Sequence, residues 1–271
     1  MLVLSAVTHS LNDRLQRAES HRFTFCQATS WAGVVEVIRR EPLELAVLDP
    51  ALDGTPRAQE IERLHVLFPS LPLVVYTTLT PELVPVLLQL GRAGVQTVLL
   101  AGHDDHPARL REVLVEEGAQ SLPNRLLEEL GDVLKGFPGE LKWAVQTIVR
   151  DPAGYHTVQD LAERARMDRR TCLRWFAKAQ LPPPSVVLMV LRVAHAHRLL
   201  QDPGYTVEDV AAKLGYPKPR PFASHVKEVF GMTPAEIRVS LSAEDALRIT
   251  RERFLSGEHD VSEQDGLEKI S

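Results

Sequence analysis

Thr157-Val158-Gln159-Asp160-Leu161-Ala162 returns 49 residues later as Thr206-Val207-Glu208-Asp209-Val210-Ala211. Each copy opens on a threonine that can N-cap a helix, and an acid three residues on can answer it, the pattern of a capping box. The alanine closing each copy is small where another helix must approach. A break and then a second helical segment with a basic face follow each copy. The repeat therefore reads as two tandem helix-turn-helix units, an arrangement that places each second helix to enter a major groove.

In the first unit the second helix is expected over Asp168–Ala179, with Asp168 as its cap. At 100° per residue, Cys172, Trp175, Phe176 and Ala179 share an inward face. Arg170, Leu173, Arg174 and Ala177 form the opposite face, with Arg169 and Lys178 at its edges. Arginine suits bidentate contact with guanine or phosphate, and Leu173 suits contact with a thymine methyl. In the second unit Gly215 ends the first helix and Pro217-Lys218-Pro219-Arg220-Pro221 makes the turn. The prolines fall in a first turn that has no intrahelical N–H bonds to lose, so a helix over Pro219–Phe230 is allowed. Phe222, Val226 and Val229 face inward. Arg220, Ser224 and Lys227 line the outer stripe with His225 beside it, and Lys218 adds a cation ahead of it. Between the units Ser185–Leu200 reads as one helical strut of roughly 24 Å, against roughly 34 Å between successive major grooves on one DNA face. His195 and His197 on that strut read as exposed or hydrogen-bonded histidines rather than ligands.

The charge follows this division. The whole chain carries −5, but residues 141–238 hold 15 Lys/Arg against 9 Asp/Glu, residues 1–140 hold 12 against 19, and the last 33 residues hold 4 against 8. A basic segment between acidic flanks is the footprint of a phosphate-binding module. The hydrophobic fraction of 44% and charged fraction of 25% are those of a soluble globular protein. No apolar run approaches the roughly 18 residues that span a bilayer, and no basic segment precedes the apolar start, so neither a membrane segment nor a signal peptide is expected. Two distant cysteines, Cys26 and Cys172, point to reduced thiols in a cytoplasmic protein.

The first half alternates short apolar runs with amphipathic stretches. Strands are expected at Leu2–Val7, Phe23–Ala28, Leu43–Leu48, Leu73–Thr77 and Thr97–Leu100. Helices are expected at Leu11–Glu19, Trp31–Arg40, Ala58–Leu67, Pro81–Leu90 and Pro107–Glu117. That alternation implies a parallel sheet covered on both faces, a doubly wound flavodoxin-like α/β domain over residues 1–118. Leu126–Leu134 reads as a linker helix within 119–139. An all-α reader follows over 140–240, then a helix at Ala243–Phe254 and a polar acidic tail, Gly257–Ser271, expected to be disordered. His103-Asp104-Asp105-His106 cannot all converge on one ion without a sharply folded loop. It reads as a loop that leads into a helix with Pro107 at its first position, and no metal or other cofactor is assigned.

The order and spacing of the first half resemble the receiver domain of bacterial response regulators. The resemblance places Asp49, ending the third strand, at the phosphoacceptor position, and Thr77 at the hydroxyl position. The acidic pair that would hold a cation is replaced by Ser5-Ala6, and the lysine by Ala101. Phosphoryl transfer needs both a cation and a cationic clamp, so the domain reads as a degenerate receiver with no catalytic residue. Residues 142–238 closely resemble the AraC-type DNA-binding domain. The run Val210-Ala211 to Gly215-Tyr216, then Phe222 to Val226-Lys227, then Phe230-Gly231-Met232-Thr233-Pro234 to Arg238, keeps that family's spacings, as do Arg192 and Ala196 on the strut. Arg166, where a turn glycine is usual, Asp168, where serine is usual, and the proline-rich turn depart from it.

The resemblance implies a transcription regulator that is not an enzyme. Double-stranded DNA is its expected partner, and RNA polymerase and a second copy met through the N-terminal domain are further candidates. Two other readings stay open. One is a phosphorylation-dependent regulator gated at Asp49, and the other is an adaptor whose helix-turn-helix units no longer touch DNA.

Overall fold

The computed structural model describes residues 1–17, 23–119 and 121–255. Its first part runs β1 (Leu2–Ala6), α1 (His9–Arg17), β2 (Thr24–Gln27), α2 (Trp31–Arg40), β3 (Leu45–Leu48), α3 (Gln59–Leu67), β4 (Leu73–Thr77), α4 (Leu83–Arg92), β5 (Thr97–Leu100) and α5 (Pro107–Ala119). All strand pairs are parallel, in the order β2-β1-β3-β4-β5. That is the doubly wound, flavodoxin-like order expected from the sequence.

Alternation along the strands feeds two cores. Val3, Leu45, Val47, Val74 and Tyr76 pack with Leu11, Leu15, Leu110 and Leu114 on the α1/α5 side. Leu4, Ala46, Leu48 and Val75 pack with Val34, Ile38, Ile61 and Leu64 on the other side, and that core runs on into the helical half. The end of the expected helix Leu11–Glu19 and the tail Gly257–Ser271 lie outside the described residues.

The linker differs from the single helix expected. It forms α6 (Leu122–Glu129) and α7 (Gly131–Leu134), with Pro123 accepted in the first turn of α6, where no N–H bond is lost. Leu126, Leu130 and Leu134 are buried in the shared core, so this stretch is packed structure.

The helical half follows as α8 (Gly139–Arg150), α9 (Val158–Arg164), α10 (Arg169–Lys178), α11 (Pro184–Gln201), α12 (Val207–Lys213), α13 (Pro219–Phe230), α14 (Pro234–Ser240) and α15 (Ala243–Leu255). The strut α11 is central and touches α8 to α10 on one side and α12 to α15 on the other. Fourteen of its eighteen residues are buried, which is why its sequence is apolar all round and lacks a one-sided stripe. The helix beyond 240 is part of this body, because Ala246, Thr250 and Phe254 of α15 are buried beneath the strut.

Candidate nucleic-acid interface

Both units start as the repeat implies. Thr157 accepts from the Asp160 N–H at 3.1 Å while Asp160 accepts from the Thr157 N–H at 2.8 Å. Thr206 and Asp209 repeat the exchange at 3.0 and 2.9 Å. These bonds to the free N–H groups of the first turn hold the Asp160 and Asp209 carboxyls below the usual carboxylate range; for Asp160 burial is the largest influence and opposes them. A third capping box, Thr233 with Glu236, starts α14. The T-x-x-E spacing was readable there but went unused.

The two turns match in backbone as well as in sequence position. Met167 N–H reaches back to Ala162 O at 3.0 Å, and Tyr216 N–H to Ala211 O at 2.9 Å. Each turn passes through the left-handed region, at Arg166 with φ +51° and at Gly215 with φ +76°. Gly215 is also required by space: a Cβ there would lie 2.5 Å from His156 Cε1 and 2.9 Å from Ala153 O. Arg166 is exposed, so its side chain has room and only the backbone is strained.

The second helices present the expected stripes. Asp168 caps α10, accepting from the Thr171 N–H at 2.8 Å. Arg169, Arg170, Arg174 and Lys178 are exposed on α10, and Lys218, Arg220, Ser224 and Lys227 are exposed at and along α13. Cys172 and Phe176 are buried beneath α10, and Phe222, Val226 and Val229 beneath α13. Three residues sit differently from the exposed stripe. Leu173 is half-buried against the main core. His225 is half-buried with Nδ1 2.9 Å from the Tyr216 hydroxyl, and burial lowers its pKa. Trp175, expected inward, is half-exposed, with the Lys178 ammonium 4.7 Å above its ring.

Not all of the basic charge of this half faces outward. Arg192 is buried on the strut; it donates to Tyr155 O at 2.7 Å and lies 5.3 Å from the centre of the Tyr216 ring. It thereby joins the lead-in to the first unit with the turn of the second. Arg238 donates to Tyr205 O at 2.5 Å. His195 and His197, both buried, bond to Val149 O at 2.8 Å and Leu241 O at 2.9 Å. Spacing alone gives no sign of these roles, since each partner is a distant backbone carbonyl.

A polar seam ties the α/β part to the second unit, and the sequence reading missed it. Lys213 Nζ donates to Ile38 O at 2.7 Å and Glu41 O at 2.6 Å, where α2 ends. Burial, with Arg198 nearby, brings the Lys213 ammonium down to about 7. The Tyr205 hydroxyl donates to Ile38 O at 2.8 Å, and Arg198 Nη2 to Leu43 O at 3.2 Å. Asp202 accepts from Ser70 N–H at 2.9 Å and Ser70 Oγ at 2.6 Å. Gly204 N–H donates to Leu67 O at 2.8 Å. Glu44, buried, accepts from Arg150 at 2.8 Å and Ser121 at 3.2 Å.

At the receiver-like position Asp49 is 2% exposed and already engaged. It accepts from Ala51 N–H and from Thr77 Oγ1, both at 2.9 Å. Ser5 Oγ donates to Asn12 Oδ1 at 2.9 Å. In the 103–106 loop, Asp104 accepts from Leu100 N–H at 3.0 Å, and Asp105 pairs with Arg14 and Tyr76.

No helix among the described residues is long and apolar enough to cross a membrane. No curated protein matches the chain. It is similar to a solved structure of the xylose-binding transcription activator xylR, with 16% identity and a TM-score of 0.33, over 88% of this chain and 69% of that one. Residues 161–240 match the helix-turn-helix domain family. That segment is a helix-turn-helix domain, and the match supports DNA-binding transcription regulation.

Proposed function

We propose that the protein is a sequence-specific transcription regulator that reads successive major grooves of double-stranded DNA with α10 and α13. One observation carries the reading: two identically capped units present exposed cationic stripes on opposite sides of one buried strut. Arg170 and Arg220, near the N-terminal ends of their helices, are assigned to base edges, with Ser224 and Leu173 beside them. Arg169, Arg174, Lys178, Lys218 and Lys227 are assigned to phosphates, which fix register without specifying sequence. His225 acts chiefly through Tyr216, holding the turn ahead of α13. The α/β part is a degenerate receiver that controls the second unit through the seam. It is also the part through which a second copy would pair, and RNA polymerase is the partner a DNA-bound activator would meet. The Asp49–Thr77 bond supports a structural rather than a phosphate-accepting aspartate.

The test is a salt-titrated selection from random duplex DNA with the full chain, beside an Arg170→Ala/Arg220→Ala variant. The expected result is one enriched motif with two half-elements about a helical turn apart, lost in the variant. Retention that falls evenly with salt for every sequence would sink specific recognition.

A further inference from the structure

The α/β part carries more acid than base, yet at the seam it turns a basic corner toward the reader. Arg39 and Arg40 form the last turn of α2 and both are exposed. Arg40 is held only by Glu36 one turn back, at 3.4 Å, with 71% of its side chain in solvent. Arg39 Nη2 lies 3.5 Å from Gly204 O, just ahead of the Thr206 cap of α12. Asp209, whose carboxyl is lowered chiefly by its bonds to Thr206, is lowered further by Arg39. Lys213, Tyr205 and Gly204 pin the end of α2 and the end of α3 to this spot through the seam bonds. The two guanidinium groups are therefore fixed beside the leading end of the first helix of unit two. When a helix-turn-helix docks, its first helix crosses the sugar-phosphate backbone while the second enters the groove. The corner thus sits where backbone phosphates pass.

We infer that Arg39 and Arg40 are DNA-phosphate contacts, so that the α/β part is itself a portion of the DNA-binding surface. The inference rests on the proposed reading of DNA by α13. Such contacts position the second unit and carry no sequence information. They also give the seam a consequence, because any movement of α2 away from α12 withdraws two phosphate contacts while leaving the base-reading side chains untouched. The competing explanation is that two arginines merely complement the C-terminal end of the α2 dipole, which would alter stability alone.

The experiment uses the full chain, the DNA enriched by the wild type, and three proteins: wild type, Arg39→Gln/Arg40→Gln and Arg39→Lys/Arg40→Lys. Each phosphate contact contributes about 0.9 to the slope of log affinity against log salt. The glutamine variant should lose about 1.8 from that slope and bind about tenfold or more weakly at low salt. It should enrich the same motif as the wild type, and the lysine variant should recover most of the slope. A slope equal to wild type in the glutamine variant overturns the inference, including when its thermal midpoint falls. Failure of the underlying reading shows separately, as a wild type without an enriched motif or an Arg170→Ala/Arg220→Ala variant that keeps it; the first of these removes this inference as well.

Discussion

His195 shows how a single side chain registers its surroundings. It is 6% exposed on the strut, bonded to Val149 O, with Arg198 and Lys213 close enough to oppose its charge. Burial first, then these cations, bring its pKa from 6.5 to about 4. Between those values the unfolded chain binds a proton that the folded chain refuses. Its contribution is therefore complete above about pH 6.5 and is lost as pH falls toward 4, at most about 3 kcal/mol. His156, His197 and His225, also lowered by burial, act in the same direction. In His195→Gln the amide can still donate to Val149 O. Urea unfolding at pH 7, 6, 5 and 4.5 should show a shallower loss of stability than in wild type, and identical pH profiles would refute the assignment. From sequence the histidine read only as exposed or hydrogen-bonded, since its partner lies 46 residues away on another helix.

The turn is the element at which the two copies diverge most. Both need a left-handed residue after the first helix, and only the second supplies glycine. An L-residue there costs roughly 1–2 kcal/mol, partly offset by glycine's greater freedom when unfolded. Arg166→Gly should therefore raise stability by about 0.5–1 kcal/mol, a shift of about 2 °C in Tm. Gly215→Ala should do the opposite, because its Cβ would strike His156 and Ala153 O. A calorimetric scan of both variants decides the matter, and a lower Tm for Arg166→Gly would mean that the Arg166 side chain contributes more than its backbone costs. At this scale the sequence was most informative. Caps, breaks and helical faces depend on neighbours within four residues, so both units and the outward stripes could be read directly. Trp175 and Leu173 could not be placed so well, because edge positions on a helix are settled by what packs beside them.

Across the whole molecule the decisive feature is the seam. Gly204 occupies a place where a Cβ would lie 2.4 Å from Phe68 Cε1 and 2.9 Å from Leu67 O. Phe68 in turn meets Tyr205 edge-on, with ring centres 5.0 Å apart. Gly204→Ala should wedge α3 away from α12, with an overpacking cost of about 1–3 kcal/mol. Hydrogen exchange should quicken at the end of α2 and in α12 while α1, α5 and β4 keep their protection. Uniform acceleration, or none, would show that the seam does not hold the two parts together.

The sequence by itself determined the five-stranded parallel sheet, the two helix-turn-helix units and the exposed cationic stripes, because each follows from periodicity and capping within one segment. It also left Asp49 without the cation-holding acids and the lysine that phosphoryl chemistry needs. Only the tertiary structure decided which cations are free. Arg192, Arg198, Lys213 and Arg238 are spent on backbone carbonyls 33 to 175 residues away, while Arg39 and Arg40 of the acidic half stand beside the reader. Net charge per segment cannot register this, since a buried donor and an exposed one count alike until the chain is folded around them.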